Sequence, residues 1–349
     1  MNPYFDSTKP HHRADGFVNS DGSSASKPLS ALLQWFYERW RDDLPPAPSQ
    51  YVDGYAGFSV DRPDVAWLKA NHTQPAVTWI GHATLLVQMG GINVLTDPHF
   101  SERTFAVQWA GPKRRVPLPM QLAELPHIDL VLISHNHYDH LDRDTVRALN
   151  SQAGGAPLFA VPLGVERWLR EQGITNVQAF DWWDQQPLPT APQVAIHSVP
   201  AHHWSSRTAT DRNRTLWGGW VVQAADFSFY FAGDTGYSAD FTEIGRRFPG
   251  LDLAAIPVGA YEPRWFMKTQ HVNPPEAVQI HQDLGVRRSI GVHWGTFDLT
   301  DEPMDAPIGA LPAARDAAGV APEAFMLLRH GQTMTFEPTR RSSAAARGQ

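Results

Sequence analysis

In the stretch LVLISHNHYDHLD, residues 130–142, a run of apolar residues leads into His135, His137, Asp139 and His140. Imidazole nitrogens and carboxylate oxygens at this density suit zinc, with iron or manganese also compatible. Spacing adds to residue type. Residues i and i+2 of a strand point the same way, so His135 and His137 can grip one ion, while Asp139 and His140 arrive after the chain turns and can face a second. Four ligands are too few for two ions, so partners are expected at other strand ends. His202 or His203 follows QVAIHSVP, Asp234 follows FYFAG, and His293 follows SIGV. Asp234, with two oxygens, is the natural bridge, His135 and His137 sharing one ion with the histidine of the His202-His203 pair, and Asp139, His140 and His293 holding the other. Any one of these histidines alone reads as a hydrogen-bonded structural residue, and their recurrence at strand ends is what points to a dinuclear centre. Two cations about 3.5–4 Å apart bring a water between them to a near-neutral pKa and clamp a phosphate. Hydrolysis is the expected chemistry, with Asp139 placed to orient the attacking hydroxide.

Ligands need a rigid platform, and the flanking segments provide one. VTWI, TLLVQM and INVLTD read as strands, with Gly90-Gly91 turning the last two into a hairpin. Strand-like DLVLIS, PLFAV, NVQAF, QVAIHSV, LWGGWVVQA, FSFYFAGD, LDLAAIPVG, RRSIGVHWG, FMLLRH and TMTF alternate with helix-like DRDTVRALN, GVERWLREQ, ADFTEIGRRF, PPEAVQIHQDLG and a segment near 305–318. Two sheets with helices outside, an αββα sandwich, are expected over residues 50–338. Before them, residues 1–49 read as an irregular polar arm carrying one short helix, PLSALLQWFYERW. Ser30 is its expected cap, Leu33, Phe36, Tyr37 and Trp40 share a face, and Pro45-Pro46 stops it. Residues 339–349 read as a disordered tail.

The chain has 349 residues, 42% of them hydrophobic, enough for a large core. It has no cysteine, which excludes disulfides, thiolate nucleophiles and thiolate-bound metals, and its sixteen histidines leave a nitrogen and oxygen site as the alternative. A net charge of −7 speaks against broad attraction to nucleic acid, and no nucleic-acid partner is expected. No segment reads as a membrane span or a secretory leader, so a cytoplasmic chain is expected, with reversible contact at a membrane surface open to it. A homodimer is compatible with the sequence. His11, His12, His72, His99, His127, His197 and His281 read as core or surface residues. His82 and His330 are undecided.

The longer motifs resemble one family. VTWIGHATLLVQMGGINVLTDPHFSERTFAVQWAGPKRR, VLISHNHYDHLD, FDWWD, LWGGWVV, FAGDTGYS, GAYEPRWFMKTQHV and HWGTF are similar, over roughly residues 50–335, to the N-acyl phosphatidylethanolamine phospholipases D of the metallo-β-lactamase superfamily. The resemblance implies that superfamily's αββα fold, two zinc ions per chain and a phosphodiesterase that releases N-acylethanolamine from a phospholipid and leaves phosphatidic acid. It also implies that the third ligand is the histidine directly before Trp, His203, and that His271 lies beside the metals as a catalytic, substrate-contacting residue. Arg264, Lys268 and the GPKRR segment are candidates for holding the lipid phosphate. Trp265, Phe266, Met267, Trp109 and Tyr261, with the aromatic helix, are candidates for the lipid's apolar part or for a membrane interface. Another hydrolase of the same ligand set, a lactonase or soluble phosphodiesterase, would differ only in its pocket. A non-catalytic lipid-binding protein would not need the complete ligand set, and a diiron oxygen-reducing enzyme would need a flavin domain for which this chain has no room.

Overall fold

The computed structural model describes residues 2–25, 27–45 and 58–339. The expected boundary at 49/50, Pro46 and, apart from Thr339, the expected tail lie outside these residues. Among the described residues two seven-stranded mixed sheets face each other. The first runs, in spatial order, Thr333–Thr335, Ala76–Gly81, Thr84–Met89, Ile92–Thr96, Leu130–Leu132, Leu158–Pro162 and Val177–Phe180. The second runs Phe325–Leu327, Arg288–Val292, Leu253–Pro257, Ser228–Phe231, Gly219–Gln223, Ala191–Val199 and Gln185–Leu188. In each, antiparallel hairpins give way to parallel strands joined through helices. This is the expected αββα sandwich.

Strand burial explains why the apolar runs lack alternation. Every residue of Ala76–Gly81 and Thr84–Met89 is buried, because both faces of the sheet are covered. Val77, Trp79, Leu85, Val87, Leu130 and Leu132 turn inward to meet Ile196, Trp220 and Phe229 of the second sheet. The alternate positions, Ile80, Leu86, Leu95, Val131 and Ile133, turn outward onto Val146, Leu149, Val165 and Leu169 of the helices. The period of two is thus preserved in which layer a side chain joins. Gly90 and Gly91 both have positive φ, 59° and 80°, as the tight hairpin between Met89 and Ile92 requires.

Three local readings change. The helix spans Leu29–Arg41 with Pro28 at its cap and no side-chain capping bond, so Ser30 lies inside the first turn. The helix ends before Pro45, through Asp42. An additional edge strand, Gln185–Leu188, contains Pro187, which an edge tolerates because no ladder bond is demanded of it on the open side. The opening residues are irregular but packed: Asn2, His11, His12, Phe17 and Asn19 are buried. They are tied down at Asp181, where His11 Nε2 lies 2.7 Å and His12 Nε2 3.0 Å from the carboxylate and Lys9 joins at 2.5 Å. Two histidines that read as ordinary core residues therefore form a clasp.

Candidate metal centre

All the expected ligands leave the same edge of the sandwich. His135 to His140 follow Leu130–Leu132, His203 follows Ala191–Val199, Asp234 follows Ser228–Phe231 and His293 follows Arg288–Val292. His135, His137 and His203 each bring one ligand atom within 4.8 Å of the others, and so do His82, Asp139, His140 and His293. Asp234 sits between the groups. Its Oδ2 is 3.1 Å from His140 Nε2, 3.2 Å from His293 Nε2, and 3.9 Å from Nε2 of both His135 and His203. Gly233, φ 62°, makes this approach: a Cβ there would come within 2.6 Å of Ser134 Cβ.

The rings are aimed by a second set of groups. Asp97 Oδ2 takes His140 Nδ1 at 2.6 Å and the Ser134 hydroxyl at 2.5 Å, while Oδ1 accepts from the Ser134 amide at 2.7 Å. With its hydroxyl hydrogen given to Asp97, Ser134 Oγ accepts from His135 Nδ1 at 2.9 Å, which leaves His135 Nε2 bare. His203 Nδ1 donates to the Gln270 carbonyl at 2.9 Å. The His203 amide in turn donates to Asn19 Oδ1, so the packed arm holds a ring of the centre. His82, undecided from sequence, places Nε2 2.9 Å from Asp139 Oδ2 and its ring 4.1 Å from that of His293, tilted by 42°. His202 faces away, bonded to the Thr269 carbonyl and the Ser23 hydroxyl. Asp97 and His82 were missed as site residues, although Asp97 follows a predicted strand in INVLTD and offered that signal.

The residues fit a metal. His140 Nε2, His203 Nε2 and Asp234 Oδ1 are buried without hydrogen-bond partners among the described residues, and the donor set is nitrogen and oxygen throughout. Burial pushes the His137 and His203 imidazoles down to about 3, favouring the neutral form a metal needs. His293 goes the other way: burial opposes its charge, but Asp234 and Asp139 lift it to about 9. Those carboxylates, Asp234 buried and Asp139 half-buried, are held well below their ordinary range by His140 and call for positive charge at this point, which a divalent cation brings.

A cavity of about 360 Å³ opens onto Asp139, Asp234 and His293. His271 lines it, with Nδ1 3.9 Å from Asp234 Oδ2. Its apolar wall is Leu32, Trp35, Phe266 and Met267, of which the last two and the aromatic helix were expected to line a groove for the lipid, and its cations are Lys27 and Arg212, which the sequence did not single out. Of the other residues expected to touch substrate, Arg264, Lys268, Trp265, Trp109 and Tyr261 do not line it. Arg264 is bound to Glu276 at 2.7 Å and to the carbonyls of Tyr261 and His271, so it holds the loop that carries His271. Tyr261 is buried under that loop, while Lys268, Trp265 and Trp109 are exposed and do not line the cavity. In GPKRR, Lys113 pairs with Glu102, Arg115 pairs with Asp298, and Arg114 is buried against Phe297 and the His99 carbonyl.

Residues 92–294 match the Beta-lactamase superfamily domain. An N-acyl-phosphatidylethanolamine-hydrolyzing phospholipase D of Caenorhabditis elegans is 43% identical over 248 residues, 69% of each chain. The mitochondrial enzyme of that name from Saccharomyces cerevisiae is 38% identical over 64% of this chain and 48% of its own length. An uncharacterized protein of Mycobacterium tuberculosis is 39% identical over 88% of this chain and 80% of its own. Among solved structures, a metallo hydrolase from Ignicoccus hospitalis (TM-score 0.60, 21% identity) and an isothiocyanate hydrolase from Delia radicum gut bacteria (0.59, 20%) each cover 76% of this chain and are covered fully by it, and they share its fold. The domain match takes in more than half of the residues, and the phospholipase match more than two thirds of both chains. The chain therefore belongs to the beta-lactamase superfamily and, within it, to the N-acyl-phosphatidylethanolamine-hydrolysing phospholipases D, metal-dependent hydrolases of the phospholipase D type.

Proposed function

We propose that this chain is a dinuclear zinc phosphodiesterase that cleaves N-acyl phosphatidylethanolamine to N-acylethanolamine and phosphatidic acid. The observation that carries the reading is the opening of an apolar, aromatic-walled cavity onto the edge where Asp139, Asp234, His271 and His293 meet. His135, His137 and His203 would hold one ion, Asp139, His140 and His293 the other, with Asp234 between them. When bound, such ions supply Lewis acidity to the phosphoryl group and a hydroxide at neutral pH. Asp139, gripped by His82, orients the nucleophile. His271 faces the substrate from the opposite wall. Leu32, Trp35, Phe266 and Met267 exclude water and take the first part of an acyl chain.

The same reading covers the membrane. No helix among the described residues is long and apolar enough to cross a bilayer. Leu33, Phe36, Tyr37 and Trp40 are 55–80% exposed on the helix whose other side, Leu32 and Trp35, lines the cavity. Exposed Trp109 and Trp265 fit the same role. A cytoplasmic enzyme could rest this face reversibly on a membrane and draw lipid from it.

Specificity constants test the assignment: N-acyl phosphatidylethanolamine in mixed micelles against bis(4-nitrophenyl) phosphate and a lactone. The lipid is expected to lead by about a hundredfold, ~2.7 kcal/mol of transition-state binding from remote apolar contacts. A better lactone or small diester overturns the phospholipase reading and leaves the metal centre standing. Elemental analysis expects about two zinc ions per chain.

A further inference from the structure

Lys27 and Arg212 stand out among the cations near the centre. Arg264, Lys113 and Arg115 each have a carboxylate partner. Lys27 and Arg212, among the described residues, have none, and burial alone pulls both below their ordinary pKa. Lys27 is half-buried, and partly burying a cation without an acid is unfavourable unless something else compensates, whereas Arg212 is exposed. Both line the cavity that holds Asp139 and Asp234.

Their placement is built rather than incidental. The Arg212 guanidinium lies 4.1 Å from the centre of the Trp204 ring and gives one N–H to the Ala25 carbonyl at 2.9 Å. That carbonyl belongs to the segment that carries Lys27, so one contact joins the two cations. Lys27 Nζ sits 5.8 Å over the Phe266 ring. Trp204 is packed between Arg212 and His137, 4.2 Å from the latter, and its Nε1 is buried without a hydrogen-bond partner among the described residues. One edge of the cavity therefore presents an ammonium and a planar guanidinium with N–H groups to spare. That set of donors suits a tetrahedral oxyanion.

The reaction changes the charge on such an anion. A phosphodiester carries one negative charge. Water oxygen bonds to phosphorus, the P–O bond to the leaving alcohol breaks, and one water proton goes to the departing oxygen. The other proton is lost to solvent, because a phosphomonoester has a second pKa of about 6 and is a dianion above it. Cations that line this cavity and have no carboxylate partner among the described residues favour the dianion.

We propose that Lys27 and Arg212 form an anion subsite of the cavity that binds a phosphoryl group in its doubly charged form, so that phosphomonoester is held more tightly than phosphodiester. The proposal rests on the phosphodiesterase reading above. Titration calorimetry on the zinc-loaded protein at pH 7.5 tests it, with phenyl phosphate as the dianion and bis(4-nitrophenyl) phosphate, under conditions where turnover is negligible, as the monoanion. Lys27→Gln and Arg212→Gln should each weaken phenyl phosphate by about tenfold and the diester by less than about threefold. Lys27→Arg, which restores charge, should recover most of the loss and so separates the effect from a disturbed fold. Inorganic phosphate and dihexanoyl phosphatidic acid distinguish the source of the anion: a parallel loss for both supports a site for any phosphate dianion, and a loss confined to the lipid supports a product site. Phenyl phosphate affinity that stays within twofold in both Gln variants overturns the proposal, as does an equal loss for monoester and diester. Either result leaves the phosphodiesterase reading intact, whereas a lactone preference in the substrate comparison would remove that reading without altering these binding data.

Discussion

Three groups converge on Asp97: the Ser134 amide, the Ser134 hydroxyl and His140 Nδ1. Its carboxylate is fully buried and touches no cavity, so its work is to fix which nitrogen of His140 is bare. Asp97→Asn should lower zinc affinity by about 10–100-fold while leaving the fold intact, as competition with a chromophoric chelator would show. Asp234→Asn should do more, since it removes the charge that lies within 3.9 Å of both histidine groups, and kcat/KM should fall by at least about a hundredfold. By contrast, His202→Ala loses bonds to Thr269 and Ser23 and should cost about 1–2 kcal/mol of stability with little effect on metal. Should His202→Ala strip the metal and His203→Ala retain it, the ligand assignment fails. Asp97 and His82 show where sequence reading stops at this scale. His82 meets a carboxylate 57 positions away, and nothing in the local text of WIGHATLLV announces that. The cluster at 135–140 could be read because its members are close in sequence and the backbone period alone decides which way they face.

At the scale of elements, the helix Leu29–Arg41 has two uses for its apolar residues. Trp35 points inward, stacks on Phe266 at 4.9 Å and donates to Asp301, while Phe36, Tyr37 and Trp40 point out. Replacing Leu33, Phe36 and Trp40 together with Ser should reduce the rate on lipid in phosphatidylcholine vesicles by about tenfold or more, because each apolar side chain brought to a membrane contributes about 1–3 kcal/mol. The rate on bis(4-nitrophenyl) phosphate should not change. An equal loss on both substrates would mean that the helix is only a wall of the cavity. The periodicity of SALLQWFYERW revealed the stripe but not which side of the helix faced the protein. Strands were legible for a firmer reason: runs such as TLLVQM are apolar on both faces, and only a covered sheet makes use of that. The Gln185–Leu188 strand, with Pro187 and exposed polar residues, owes its place to its neighbour Ala191–Val199 and had no pattern of its own.

For the whole molecule, buried neutral histidines couple stability to pH. His197 lies on the strand Ala191–Val199 of the second sheet, against Phe248, and burial pushes it down to about 4. Its unfolded pKa is about 6.5, so between these values the unfolded chain binds the extra proton and stability falls as pH is lowered, by at most about 3 kcal/mol from this residue. Above pH 6.5 the residue adds no slope, and below about 4 the loss is complete. Urea unfolding of His197→Gln should show a shallower decline from pH 6.5 to 4 than the parent chain, and identical slopes would rule this residue out as the cause.

Two neighbouring strands of the first sheet lie far apart in sequence. Thr78 Oγ1 lies 2.8 Å from Thr333 Oγ1, and the strand Thr333–Thr335 closes the sheet beside Ala76–Gly81. His293, too, is among the last quarter of residues to be synthesised, and its amide is held by the carbonyl of His82. A ribosome-bound chain that has displayed His135, His137 and Asp139 still lacks both the partner of its first long strand and one corner of its metal centre. Contacts of such sequence separation form slowly. A complete set of ligands is accordingly expected only once contacts of long sequence separation have formed, so zinc uptake during refolding should follow closure of the sheet.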